Sequence, residues 1–333
     1  MTIDFKTEIL TSEWGYQQTH FRDWQRCLER PLAPDGRPPV FLPGQAWRNV
    51  IANPRAEPRE IERLIAFIPQ GDRHKWFRSM NSSQALAQSV FGNLAISNHL
   101  DLLGAIRDEN GLAVFENANL SPEHLAMEFK IGYLGEPRST RLDVFFEGDY
   151  RVAVECKFTE EEVGTCSRPR LTPGDTNYQT ERCNGTYTRQ DGRDERCSLS
   201  AIGVLYWKYV PVLFRWQADQ DIIPCPLDLN YQLVRNVLAV GVKPDAGASS
   251  QHGHAVVLFD ERNPAFRAGG KGLKAFQETK SALLDERMLR ICSWQQIVAV
   301  LREKKILPWL VDRLFQKYGI GKTPAEENAN RST

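Results

Sequence analysis

The chain has 333 residues, 41% of them hydrophobic and 25% charged, with 42 Lys plus Arg against 42 Asp plus Glu. That length can bury one large core or two modest ones, and the composition is that of an ordinary globular protein. A net charge of zero excludes a globally basic nucleic-acid binder, although a locally positive groove suffices for one. No apolar run reaches the length of a membrane span, and residues 1–6 lack a signal-peptide pattern, so no membrane partner is expected and the cytoplasm is the default location. Seven cysteines, an odd number, argue against a disulfide framework in that compartment. No phosphate-binding Gly-x-x-x-x-Gly-Lys loop is present, nor is there an internal repeat.

In chain order, residues 1–75 are rich in Pro, Arg and aromatics, including Trp14, Tyr16, Phe21 and Trp24. They are expected to form an N-terminal extension packed on the core, with a helix over 57–68 that begins near Pro58. Residues 73–78, Arg-His-Lys-Trp-Phe-Arg, could grip a phosphate backbone, but an amphipathic connection is the favoured reading. A helix is expected over 82–94, with Gln84 and Gln88 on one face. Residues 127–133 alternate like a strand and hold a Glu128-x-Lys130 pair, read as solvated charges because no acidic hairpin partner lies immediately upstream.

Residues 140–158 carry the strongest signal. Leu142, Val144 and Phe146 share one strand face, and Val152, Val154, Cys156 and Phe158 share another. A loop of Gly148, Asp149 and Tyr150 would set Val144 opposite Val154 and Phe146 opposite Val152. Asp143 then lies across from Glu155, with Lys157 on the same side, and a one-residue slip would spoil both core and site. Two carboxylates suit Mg²⁺ or Mn²⁺, with the backbone carbonyl of Cys156 as a further oxygen. A bound ion would polarise a phosphoryl oxygen and activate water, while Lys157 could orient that water or offset developing charge. The reaction these residues suggest is phosphodiester hydrolysis.

Asp143, followed by Glu155-Cys156-Lys157 on an apolar strand, resembles the signature of the PD-(D/E)XK nuclease superfamily, most closely its restriction-endonuclease-like branch. The resemblance covers roughly residues 80–300, with Leu142 where the family usually has Pro. It implies an α/β fold, a restriction-endonuclease-like core with a mixed central β-sheet flanked by helices, spanning 76–320. It also implies a Mg²⁺-dependent endonuclease acting on DNA, with a role in defence against foreign DNA and a homodimer where both strands are cut. Asp143, Glu155 and Lys157 would be catalytic, and Asp143, Glu155 and Cys156 (carbonyl) would hold the metal. Many members add a Glu from the preceding helix, where this chain has Gln84 and Gln88.

Residues 160–200 read as a long polar insertion, functional or disordered, with Arg168, Arg170, Arg182, Arg189 and Arg193 as phosphate-contact candidates. Cys166, Cys183, Cys197 and Cys225 follow the motif and could hold Zn²⁺ or an Fe–S cluster. No pair has Cys-x-x-Cys spacing, so unrelated thiols are favoured. Residues 201–216 read as core. A helix over 229–238 would present Tyr231, Gln232, Arg235 and Asn236 as a polar face toward the metal site, as support or DNA contacts. Residues 254–260 read as a buried strand, 273–318 as a helix-rich closing part, and 321–333 as a disordered tail. Competing readings are an inactive nucleic-acid-binding module of the same fold, an RNA nuclease, and a cysteine-bound metal protein.

Overall fold

The computed structural model describes residues 4–30, 33–137, 140–190 and 192–321, so the expected tail, beyond residue 321, lies outside the described residues. The hairpin is the organising element. Strands β2 (Thr140–Phe146) and β3 (Arg151–Cys156) pair antiparallel with Val144 opposite Val154 and Phe146 opposite Val152, the register that the hydrophobic alternation demands. Strand β1 (Leu125–Ile131) pairs antiparallel with the outer edge of β2. After a small ribbon of β4 (Val242–Lys243) and β5 (Gly247–Ala248), strand β6 (Gly253–Phe259) joins β3 in parallel. Strand β7 (Leu289–Ser293) then joins β6 in parallel. The mixed sheet runs β1-β2-β3-β6-β7.

Parallel neighbours require crossovers, and helices supply them. Helix Pro226–Gly241 lies between β3 and β6, and helix Lys271–Ala282 between β6 and β7. Val144, Phe146, Val152, Val154, Val256 and Leu258 face a core shared with Leu86, Phe91 and Leu94 and with the C-terminal helices Trp294–Lys304 and Pro308–Tyr318. Phe145, Ala153, Ala255 and Val257 face the second core, with Leu233, Val234, Val237 and Leu238 of helix Pro226–Gly241. Helices on both faces of a mixed sheet define the α/β class expected from the sequence.

Four local readings need correction. Leu142 belongs to the second core rather than to that of Val144 and Phe146. The β1–β2 ladder skips Glu128, whose backbone is left-handed at φ 53°. Such a break re-aims the side chains beyond it. Strand β7 falls within the stretch read as helix-rich. Its alternation is hidden because Arg290 is buried, ion-paired to Glu116 at 2.6 Å. Finally, the helix over residues 83–96 contains a π-helical turn at Gln88–Gly92.

The first 75 residues share the sheet's core through Ile9, Val50, Ile51, Leu64 and Ile68. Helix Phe5–His20 packs on helix Pro308–Tyr318, with Glu8 ion-paired to Arg262 at 3.0 Å. In the 73–78 segment Phe77 is buried and Arg73 donates to the Ile68 carbonyl at 3.1 Å, as the amphipathic connection requires. Among residues 201–216, Tyr206, Trp207, Val210, Leu213 and Phe214 are buried, the core role expected of them.

Candidate active site

Strands β2 and β3 part at Asp143. Beyond Val144–Val154 the ladder ends, and the Cys156 N–H donates to Asp143 Oδ2 at 2.7 Å. A carboxylate thus takes the place of a main-chain acceptor, opening the strand ends into a notch. Glu155, one residue past the last pair, is 2% exposed. Its Oε1 accepts from Lys157 Nζ at 2.9 Å and from Gln232 Nε2 at 2.6 Å. Its Oε2 accepts from Asn236 Nδ2 at 2.8 Å, with Arg235 farther off at 3.8 Å. Each carboxylate oxygen offers about two lone-pair positions, so Oε2 keeps acceptor capacity.

The main chain of Lys157 is fixed on both sides: its N–H donates to the Leu258 carbonyl at 2.7 Å, and its carbonyl accepts from Trp294 Nε1 at 3.0 Å. Burial alone would lower the Lys157 pKa, but the carboxylates of Glu155, Glu160 and Asp143 outweigh it and hold the ammonium above its usual value. Asp143 is pushed well above the usual carboxylate range, first by burial and then by Glu155 and Glu128. A site with more carboxylates than cations in a low-dielectric setting is primed for a cation or for protons.

Glu128, read from sequence as a solvated charge, belongs to this group. With Met127 opposite Val144 and Phe129 opposite Leu142, Glu128 lies across from Asp143. Three acids therefore run in a row over β1, β2 and β3. Burial pushes Glu128 up to about 7, against a hydrogen bond from Gln84, with Glu155 and Asp72 adding to the rise. Its partner is revealed only when β1 pairs with β2, which no local pattern shows. Glu160 was also missed. Its Oε2 accepts from the Phe158 N–H and its Oε1 from Ser83 Oγ, each at 2.6 Å, closing the end of β3.

The other candidates divide. Gln84 is beside Glu128 and also accepts from the His74 N–H at 2.9 Å. Gln88 does not serve the notch: its amide donates to the Leu64 and Ile65 carbonyls at 2.8 and 3.1 Å. Gln232 and Asn236 hold Glu155, and Arg235 bridges Asn236 Oδ1, Thr140 Oγ1 and the Arg141 carbonyl at 3.0, 3.3 and 3.2 Å. Tyr231 points elsewhere, to Tyr206 Oη at 3.2 Å and Glu136 at 3.5 Å. A cleft of about 550 Å³ is lined by Thr140, which Arg235 contacts, and by Tyr231, Glu136 and Arg168 among others. The insertion arginines are largely engaged: Arg168 pairs with Glu181, Arg170 with Asp228, and Arg193 donates to the Thr180 carbonyl.

Among the described residues no three His, Cys, Asp or Glu side chains form a ready metal-holding group, so any ion here would rest on one or two carboxylates and waters, the habit of Mg²⁺. No helix among the described residues is long and apolar enough to cross a membrane. Comparison with curated proteins and with solved structures gives no match. A family model, by contrast, matches residues 17–319, nearly the whole chain and all of the notch. The hairpin, its parted strands and the sheet around them thus lie within a protein that belongs to the REase-ARP family, described as Restriction Endonuclease associating with ARP.

Proposed function

We propose that this chain is a metal-dependent endonuclease that hydrolyses phosphodiester bonds in DNA at the notch of Asp143, Glu155 and Lys157. The observation that carries the reading is the convergence of the three side chains where β2 and β3 part, within a chain of a restriction-endonuclease family. Asp143 and Glu155 would hold Mg²⁺ or Mn²⁺, with the Cys156 carbonyl and waters as further oxygens, and Glu128 adds to the carboxylate charge beside them. The ion, when bound, lowers the pKa of water and polarises the phosphoryl oxygen.

The chain's own groups do the rest. Gln232 and Asn236 lock the Glu155 carboxylate, so it meets its ligand without reorganising. Lys157, charged and held against Glu155, would offset the charge that builds on the phosphate. Arg235 ties the notch to Thr140 on the rim of the cleft, where a DNA backbone would lie.

Cleavage of supercoiled plasmid with Mg²⁺ or Mn²⁺ tests this. Native protein should nick or linearise DNA, while Asp143→Ala and Lys157→Ala should lose at least about 10²-fold in rate, the scale of losing an electrostatic catalytic group. Matched RNA is offered in parallel, and preferential RNA cleavage would replace DNA as substrate. Intact plasmid, single-stranded DNA and RNA with every metal would leave the inactive binding module as the better account.

A further inference from the structure

A second cluster lies apart from the carboxylates, assembled from residues scattered over 166–225. Cys166, Cys183, Cys197 and Cys225 line one cavity of about 10 Å³, together with Arg196 and Asp228. That volume accepts about one water-sized sphere, the scale of a single ion.

Cys225 immediately precedes the helical turn that starts at Pro226, which a kink at Asn230 separates from the rest of helix Pro226–Gly241. Cys166 and Cys197 are buried, and Cys183 and Cys225 are half-buried. A divalent metal deprotonates its coordinating thiols outright, so four thiols around one cavity can meet Zn²⁺ as thiolates.

The surroundings explain why a metal would matter. Among the described residues, 160–200 contribute three helices of three or four residues and no strand of the central sheet. Small irregular segments with little core are where a structural metal supplies folding free energy. The backbone already knots these cysteines to the helix: the Cys166 N–H donates to the Asp228 carbonyl and the Cys225 N–H to the Gly185 carbonyl, each at 2.8 Å.

We propose that Cys166, Cys183, Cys197 and Cys225 bind one structural Zn²⁺ as four thiolates, fastening the 160–200 segment to the start of helix Pro226–Gly241. As placed here the sulfurs ring the cavity without closing into a ligand set. Binding would draw them inward and release their protons to solvent. Gln232 and Asn236, which hold Glu155, lie just past the kink at Asn230 that follows the turn starting at Pro226.

Elemental analysis of the full chain, purified under reducing conditions, should give one zinc per chain. Cys183→Ser/Cys225→Ser should lose it and Cys27→Ala should retain it. Because the double variant can misfold, the native chain is also titrated with an organomercurial, and zinc release should track modification of these thiols. Exchange with Co²⁺ should give thiolate-to-cobalt charge-transfer bands. Zinc below about 0.1 per chain, iron with acid-labile sulfide, or a cobalt spectrum without thiolate bands would overturn the proposal. None of these readouts involves cleavage, so their failure leaves the hydrolytic reading standing.

Discussion

Glu128 holds its backbone at φ 53°, a conformation that costs a non-glycine residue about 1 kcal/mol or more. Its carboxyl, raised to about 7 by burial, stays protonated in the folded chain at pH values where the unfolded chain has released the proton. The folded state therefore binds more protons between about pH 4.5 and 7, and stability falls as pH rises through that window. The full effect is of order 3–4 kcal/mol at most. Glu128→Gln should flatten this slope and raise the melting temperature at pH 8, read by thermal unfolding across pH. An unchanged slope would mean that Glu128 is not the group responsible. At Gly164, where φ is 107°, an added Cβ would meet Gln232 Oε1 at 2.1 Å. Gly164→Ala should therefore cost about 1–3 kcal/mol of stability and dislodge Gln232 from Glu155, slowing cleavage beyond what the stability loss explains. Wild-type kinetics in that variant would show that Gln232 is dispensable.

Elements act on the site through their ends. Helix Trp294–Lys304 follows β7 directly, with Ser293 and Gln296 forming a reciprocal cap, and this turn delivers Trp294 into the core. The indole N–H satisfies the Lys157 carbonyl, so the C-terminal edge of the sheet anchors the strand end that presents the lysine. Trp294→Phe leaves that buried carbonyl unpaired and should cost about 1–3 kcal/mol. Chemical denaturation measures the loss, and a change below about 0.5 kcal/mol would mean that the bond is not held in solution. The notch was legible to sequence at this scale because alternation and turn specify a hairpin register within twenty residues. Helix Pro226–Gly241 was legible as a helix with a polar face, yet which of its polar residues reach Glu155 depends on how it crosses the sheet. Gln232 and Asn236 do, and Tyr231 does not.

At the scale of the molecule, one chain presents one Asp143, Glu155 and Lys157 notch, and a single site cuts one strand at a time. A plasmid time course should show open circles accumulating before linear product. Linear product without a nicked intermediate would instead require two copies acting together. With equal numbers of acidic and basic residues and Arg168, Arg170 and Arg193 engaged internally, the proposed DNA affinity would have to come from a local groove. Its salt dependence then reports the number of phosphate contacts directly.

By itself the sequence determined the α/β class, the hairpin register, and the three residues of the candidate notch. The register and the three residues follow from period-two alternation and a short loop, which are local rules, and the class from the motif's resemblance to a nuclease superfamily. Only the tertiary structure decided that Glu128 joins the acidic row, that Gln88 turns to the end of a neighbouring helix, and that Leu142 changes core. It alone brought together four cysteines with no recognisable spacing. These are contacts between segments distant in the chain, and their partners are chosen by sheet order and helix crossing, on which local periodicity is silent.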